Sequence, residues 1–147
     1  MKCIAIPHKV NESGASSNEI GDIDIFKDGK IISSIEVKDK DFTQEDVEHA
    51  IKKFNAAELR FSMFIYGRFA AFDEAPSRQT AARFGRTLGT YCSIVGILEY
   101  VKVMLTRIPD ISLDELAHRM MDFAKKISCK DETIRWIQEC LAKYSTK

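Results

Sequence analysis

Three carboxylates and an ammonium stand close together in the stretch GDIDIFKDGKIISSIEVKDK, residues 21 to 40. Side chains alternate faces along a strand, so Asp22 shares a face with Asp24, and Glu36 with Lys38. The Asp-Gly turn in KDGK folds the two segments into a hairpin and makes these two pairs neighbours at its open end. Like charges held at close range repel unless a cation sits among them. Hard carboxylate oxygens suit Mg²⁺, which keeps waters that a phosphate can displace. Lys38, two residues from Glu36, is placed to orient or activate a water beside such an ion and to offset charge on a phosphate oxygen.

The elements that must position these groups are legible in outline. CIAI (3–6) reads as a short strand, and PHKVNESGASSNE as a loop rich in Ser, Asn, Gly and Glu. The hairpin follows, with strands over 22–26 and 30–38. Thr43, with Asp46 three residues on, starts a helix over about 43–57, and Val47, Ala50, Ile51 and Phe54 share one helical face. LRFSMFIYG then reads as a buried strand. Strand, strand, helix, strand predicts an α/β fold: a mixed β-sheet with a crossover helix and flanking helices.

APSRQTAARFGRTLG has a Pro-Ser helix entry and ends in glycine, whereas TYCSIVGILEYVKVML fits either a strand followed by a helix or one helix weakened by Gly96. The C-terminal part is helical. SLDELAHRMMDFAKKI carries a capping box, Ser112 to Glu115, and a stripe of Leu113, Leu116, Ala117, Met120, Ala124 and Ile127. DETIRWIQECLAKY follows with Asp131 as cap and Ile134, Ile137 and Leu141 facing inward. Phe123, Trp136 and Tyr144 fit helical packing better than base stacking.

At 147 residues, 45% hydrophobic and 30% charged, the chain has the size and composition of one soluble domain, residues 1–147. No apolar run suits a signal or membrane segment, so a cytoplasmic protein is expected. The four cysteines, Cys3, Cys92, Cys129 and Cys140, are widely spaced and read as free buried thiols. Charge is zero overall but uneven. Residues 12–48 hold eleven acids against four lysines, and residues 75–107 hold five basic residues against Glu99 alone. An acidic pocket beside a basic surface suits metal-dependent chemistry on phosphates.

The GD-x(13)-EVK arrangement, with a capped helix and a buried strand after it, resembles the signature of the PD-(D/E)xK nuclease superfamily. The resemblance covers roughly residues 19 to 67 and is greatest to the catalytic segment of type II restriction endonucleases of the SacI-like kind. It implies a restriction-endonuclease-like sheet and a Mg²⁺-dependent endonuclease, with Mn²⁺ able to substitute, that hydrolyses phosphodiester bonds of double-stranded DNA. It implies that Asp22 and Glu36 bind the metal and that Lys38 helps to produce the attacking hydroxide. Asp24 competes with Asp22 for the first role, as other branches place the key carboxylate at the fourth position of a GEID-like entry, and both can contact metal. Members usually carry proline where Gly21 stands here, and helices ahead of the first catalytic strand. The chain is therefore expected to be a whole minimal nuclease or one domain of a larger enzyme.

Gln44, Glu48 and His49 lie off the apolar face of the first helix, and of these Gln44 and His49 are additional site candidates. Arg78, Arg83 and Arg86 are candidates for phosphate contacts. His8 and His118 stand isolated in sequence, and no Ser/His/Asp or Cys/His arrangement is present. Cutting both strands with one site per chain calls for a homodimer. Two other readings use the same residues: a repair or Holliday-junction-type nuclease, or a non-catalytic α/β binding or assembly domain with a solvated hairpin.

Overall fold

In the computed structural model, residues 3–8, 19–107, 112–126 and 129–144 are described. The loop expected between the first strand and the hairpin falls mostly outside them, as do Ile127 and the side chains of Leu113 and Tyr144.

Five strands form one mixed sheet in the order β1-β2-β3-β4-β5. β1 (Cys3–Pro7), β2 (Ile23–Lys27) and β3 (Lys30–Lys38) are an antiparallel meander, and β4 (Phe61–Tyr66) and β5 (Tyr91–Gly96) continue it in parallel. The hairpin turn is set by Asp28 and Gly29, both at positive φ (51° and 76°). That pattern matches the right-handed twist of the flanking strands and is why an Asp-Gly pair stands there. A register shift beyond Ile25 leaves Ile32 without a partner, so the turn end of the hairpin is a bulge.

α1 (Gln44–Ala56) and α2 (Glu74–Leu88) are the crossovers to β4 and β5. The N-terminus of α1 carries a full capping box: Asp46 N donates to Thr43 Oγ1 at 3.4 Å, and Thr43 N donates to Asp46 Oδ2 at 2.9 Å. Both helices bury their apolar stripes on one face of the sheet. Val47, Ala50, Ile51 and Phe54 of α1, with Ala81 and Phe84 of α2, pack on Phe64 and Ile94. α2 ends at Gly89, whose φ of 73° makes the left-handed turn out of the helix.

The ambiguous segment resolves as strand β5 followed by α3 (Ile97–Leu105), with Gly96 as the boundary. α4 (Leu113–Lys126) and α5 (Asp131–Tyr144) form a helical pair packed chiefly on itself. The Ser112 cap is present, with Glu115 N donating to its hydroxyl at 3.1 Å. Asp131 differs from expectation: Ile134 N reaches Lys130 O, so Lys130 stands before the helix and Asp131 is its first residue. The predicted stripes are only partly covered. Ala124 is buried, Leu116, Ala117, Ile134, Ile137 and Leu141 are half-buried, and Met120, Phe123 and Trp136 are exposed.

The cysteines are free, but Cys3 is exposed and Cys92, Cys129 and Cys140 are only half-buried. Among the described residues no helix is long and apolar enough to cross a membrane.

Candidate active site

β3 delivers Glu36 and Lys38 to the helix-covered face of the sheet. Glu36 stands beside Phe64 and Lys38 beside Tyr66 on β4, and Phe64 belongs to the core under α1. The polar end of β3 therefore emerges where the apolar contact with α1 stops. There α1 presents a polar edge. Lys53 Nζ donates to Glu36 Oε2 at 3.2 Å, and Lys38 Nζ lies 3.7 Å from Asp46 Oδ1. Asp46 and Lys53 are two helical turns apart, while Glu36 and Lys38 are one strand repeat apart, so the motif's two charges each meet an opposite charge from the helix. Hydrogen bonding from the Thr43 backbone, joined by the positive charge of Lys38, holds the Asp46 carboxyl below its usual range.

Between these pairs is an open cleft of about 340 Å³ lined by Glu36, Lys38, Thr43, Glu45, Asp46 and His49. A second hollow lined by Glu45, Glu48, His49 and Lys52 adjoins it. The structure thus brings together three of the residues singled out from sequence: Glu36, Lys38 and His49. Gln44 is exposed on the first turn of α1 and lines neither hollow.

The two aspartates are placed differently from each other. Asp22 lies just ahead of β2, where its Oδ2 accepts from Val37 N at 2.7 Å and its own N–H donates to Ile35 O at 2.9 Å. It is exposed, and among the described residues Oδ1 has no hydrogen-bond donor. Asp24 is opposite Ser34, on the same sheet face as Glu36, and only 1% exposed. Its Oδ1 accepts from Ser34 Oγ (2.7 Å) and Gly21 N (3.3 Å). Its Oδ2 accepts from Ile20 N (3.2 Å) and sits 2.9 Å from His8 Nε2. Four partners match the lone-pair capacity of a carboxylate. The expected single patch of three carboxylates and an ammonium is therefore divided: Glu36 and Lys38 open on the cleft, Asp22 is turned to the β3 backbone, and Asp24 is buried in its own network.

His8, which looked isolated, belongs to that network, with its Nδ1 3.0 Å from Glu19 Oε1. Gly21 has a packing reason: a Cβ there would lie 2.7 Å from Ile35 O and against Ser34 Oγ, so the entry to β2 admits no side chain. Sequence reading also missed Lys53 and Asp46 as site residues. Their signal was present in the spacing of opposite charges seven residues apart on α1, set against Glu36 and Lys38.

The arginines are partly committed elsewhere. Arg78 bonds Glu74 (2.7 Å) and the Ile94 carbonyl (3.0 Å), and Arg83 pairs with Glu48 (3.3 Å). Arg86 is exposed on α2.

β3 turns one carboxylate, Glu36, to the cleft beside the Lys38 ammonium, and carboxylate oxygens are the type Mg²⁺ takes when it binds through one or two of them and keeps several waters. Among the described residues no group of three or more His, Cys, Asp and Glu closes around one point. The residues present therefore form no cage of protein ligands for a divalent ion.

A mixed sheet with a polar cleft at the end of its parallel strand pair, beside an antiparallel meander, defines an α/β domain. Residues 3–68, less than half of the chain, match the family model for the SacI restriction endonuclease C-terminal domain, so this part of the chain is similar to that domain. The matched span contains β1 to β4, α1 and every residue of the cleft. No curated protein matches the chain.

Proposed function

We propose that the chain is a Mg²⁺-dependent endonuclease domain of restriction type acting on double-stranded DNA. The observation that carries this reading is the placement of Glu36 and Lys38 on one strand end, both facing an open polar cleft, within a span that matches a restriction-endonuclease domain.

In this reading Glu36 and Asp22 hold the ion. Asp22 bonds Ile35 and Val37, the residues on either side of Glu36 on β3, and is anchored through one carboxylate oxygen and open at the other. Mg²⁺, when bound, would supply Lewis-acid stabilisation of charge on the phosphate and a source of hydroxide at neutral pH. Lys38 would orient or activate the attacking water and offset negative charge on a phosphate oxygen. Its 3.7 Å approach to Asp46 keeps the ammonium extended into the cleft. His49 faces the same space from α1, where it could reach a phosphate in the cleft. Asp24 does not bind metal; it ties Ile20, Gly21, Ser34 and His8 together beneath the site. Arg86 supplies a phosphate contact, and a second copy of the chain supplies the second cut.

The test is nicking and linearisation of supercoiled DNA with Mg²⁺, against EDTA and against Glu36→Gln and Lys38→Ala proteins. Cleavage lost in all three supports the reading; cleavage that persists in both variants sinks it.

A further inference from the structure

The turn that follows β4 keeps one aromatic ring in the fold and holds another out in water. In GRFAAF, residues 67–72, Phe72 is half-buried and stacks on Phe42 with ring centres 4.4 Å apart, whereas Phe69 is 86% exposed. A single exposed ring on a loose loop calls for no explanation, but this backbone is pinned. Gly67 N donates to Lys38 O at 2.7 Å, Ala70 N to Gly67 O at 3.3 Å, Ala71 N to Asp41 Oδ1 at 2.8 Å, and Phe42 N to Ala71 O at 3.2 Å. These bonds tie the turn to the segment joining β3 to α1, and both Lys38 and Thr43 at the ends of that segment line the cleft. Phe69 is thus presented from a fixed backbone at the cleft end of the sheet.

Its neighbour completes a pair. Cζ of Arg68 lies 5.4 Å from the centre of the Phe69 ring, and Arg68 makes no ion pair among the described residues. Arg78 and Arg83 are each held by a carboxylate. A cation without a carboxylate beside a ring with an open face matches one nucleotide, the charge meeting its phosphate and the flat apolar surface its base. Between Phe61 and Leu88, Phe69 is the only exposed large apolar side chain, so the feature suits one planar group and not the apolar face of a protein.

We infer that Arg68 and Phe69 form a nucleotide subsite beside the cleft, in which the ring stacks on an unstacked base and the guanidinium meets that nucleotide's phosphate. The inference rests on the nucleic-acid reading of the cleft and adds to it a preference for strands whose bases are accessible. A base in an intact duplex must first leave its stack, a cost that a single strand does not carry. No metal takes part, so the subsite works in the presence of a chelator.

The experiment is fluorescence anisotropy in EDTA with the full chain and three labelled probes: a single strand of mixed sequence, a base-free strand of the same length, and the corresponding duplex. Wild type is compared with Phe69→Ala, Phe69→Trp and Arg68→Gln, each checked for folding by thermal unfolding. Phe69→Ala is expected to weaken binding of the base-carrying single strand about tenfold, to affect the duplex less and to leave the base-free strand unchanged. Phe69→Trp should bind the base-carrying strand at least as tightly as wild type, and Arg68→Gln should weaken both single strands. Unchanged binding of the base-carrying strand by Phe69→Ala, or an equal loss on the base-free strand, overturns the inference and leaves the nucleic-acid reading intact. No binding of any probe by the folded wild type overturns both.

Discussion

Lys53 and Glu36, from α1 and β3, are joined by a 3.2 Å ion pair at the point where the apolar contact between that helix and the sheet ends. The pair is half of a crossed arrangement, since Lys38, two residues along the same strand, faces Asp46 of the same helix at 3.7 Å. A helix that packs one apolar stripe on a sheet must place the residues beside that stripe at the rim. Here the rim is charged to complement the strand, and the cleft forms between the two pairs.

The first prediction concerns the chemistry. Glu36→Gln removes the charge but keeps the shape, and Lys38→Met does the same for the ammonium. Each is expected to lower the Mg²⁺-dependent nicking rate by at least about 100-fold, the scale of losing one positioned electrostatic group. Their unfolding midpoints should stay within a few degrees of wild type. An unchanged rate in either variant would remove that residue from the mechanism.

Asp24 should behave in the opposite way. Its carboxylate satisfies Ser34, Gly21, Ile20 and His8 while fully buried. Asp24→Ala strands these partners and is expected to cost about 3 kcal/mol or more in urea unfolding, as breaking a buried charged network does. Asp22→Asn, on an exposed side chain, should cost under about 1 kcal/mol and weaken metal binding. Folded Asp24→Asn protein that has lost all metal affinity, beside unaffected Asp22→Asn, would reverse the assignment of the two aspartates.

Gly21 is tested by Gly21→Ala. The new methyl meets the Ile35 carbonyl at 2.7 Å and the Ser34 hydroxyl, so the β2 entry must move away from β3. A loss of about 1–3 kcal/mol is expected from overpacking, with Ser34→Ala giving partial relief in the double variant. Wild-type stability in Gly21→Ala would show that the entry is looser than its contacts indicate.

The α1 cap has a pH signature. Asp46 has its carboxyl held below the usual range, chiefly by the Thr43 backbone bond. A depressed folded value means that the stabilisation is complete above the unfolded value, near about pH 4, and is lost as pH falls through the lower folded value. Asp46→Asn, which removes the charge that the Thr43 backbone N–H favours, should cost about 1 kcal/mol at neutral pH, and the difference from wild type should shrink in acid. An equal difference at pH 7 and pH 2.5, by urea unfolding, would exclude the capping box as its source.

Cys92 offers a chemical probe of the sheet. Burial pushes its thiol up to about 11, against a weaker opposing bond from Ser62. At pH 8 it should alkylate far more slowly than exposed Cys3, followed by mass spectrometry of digests. Stability should fall as pH rises from about 8.5, where the unfolded thiol ionises, toward the raised folded value. Comparable labelling of both cysteines in native protein would show that burial does not hold the Cys92 thiol up.

Much of this molecule is set by short-range sequence. The Asp-Gly turn fixes the hairpin because both of its residues adopt positive φ. Thr43 and Asp46 fix the start of α1 by bonding each other's backbone, and the spacing of Val47, Ala50, Ile51 and Phe54 fixes the face it buries. From those local rules came the mixed α/β sheet and the placement of Glu36 and Lys38 on one face. The tertiary structure decided what local rules do not reach. Whether Asp22 or Asp24 is open depends on where β2 begins and on what His8 and Ser34 bring to it across the sheet. The exposure of Phe123 and Trp136 depends on what covers α4 and α5, which an amphipathic stripe does not specify. The partners of Glu36 and Lys38 come from a helix whose register against β3 is set by the packing of the whole core, and so Lys53 became a site residue only in the fold.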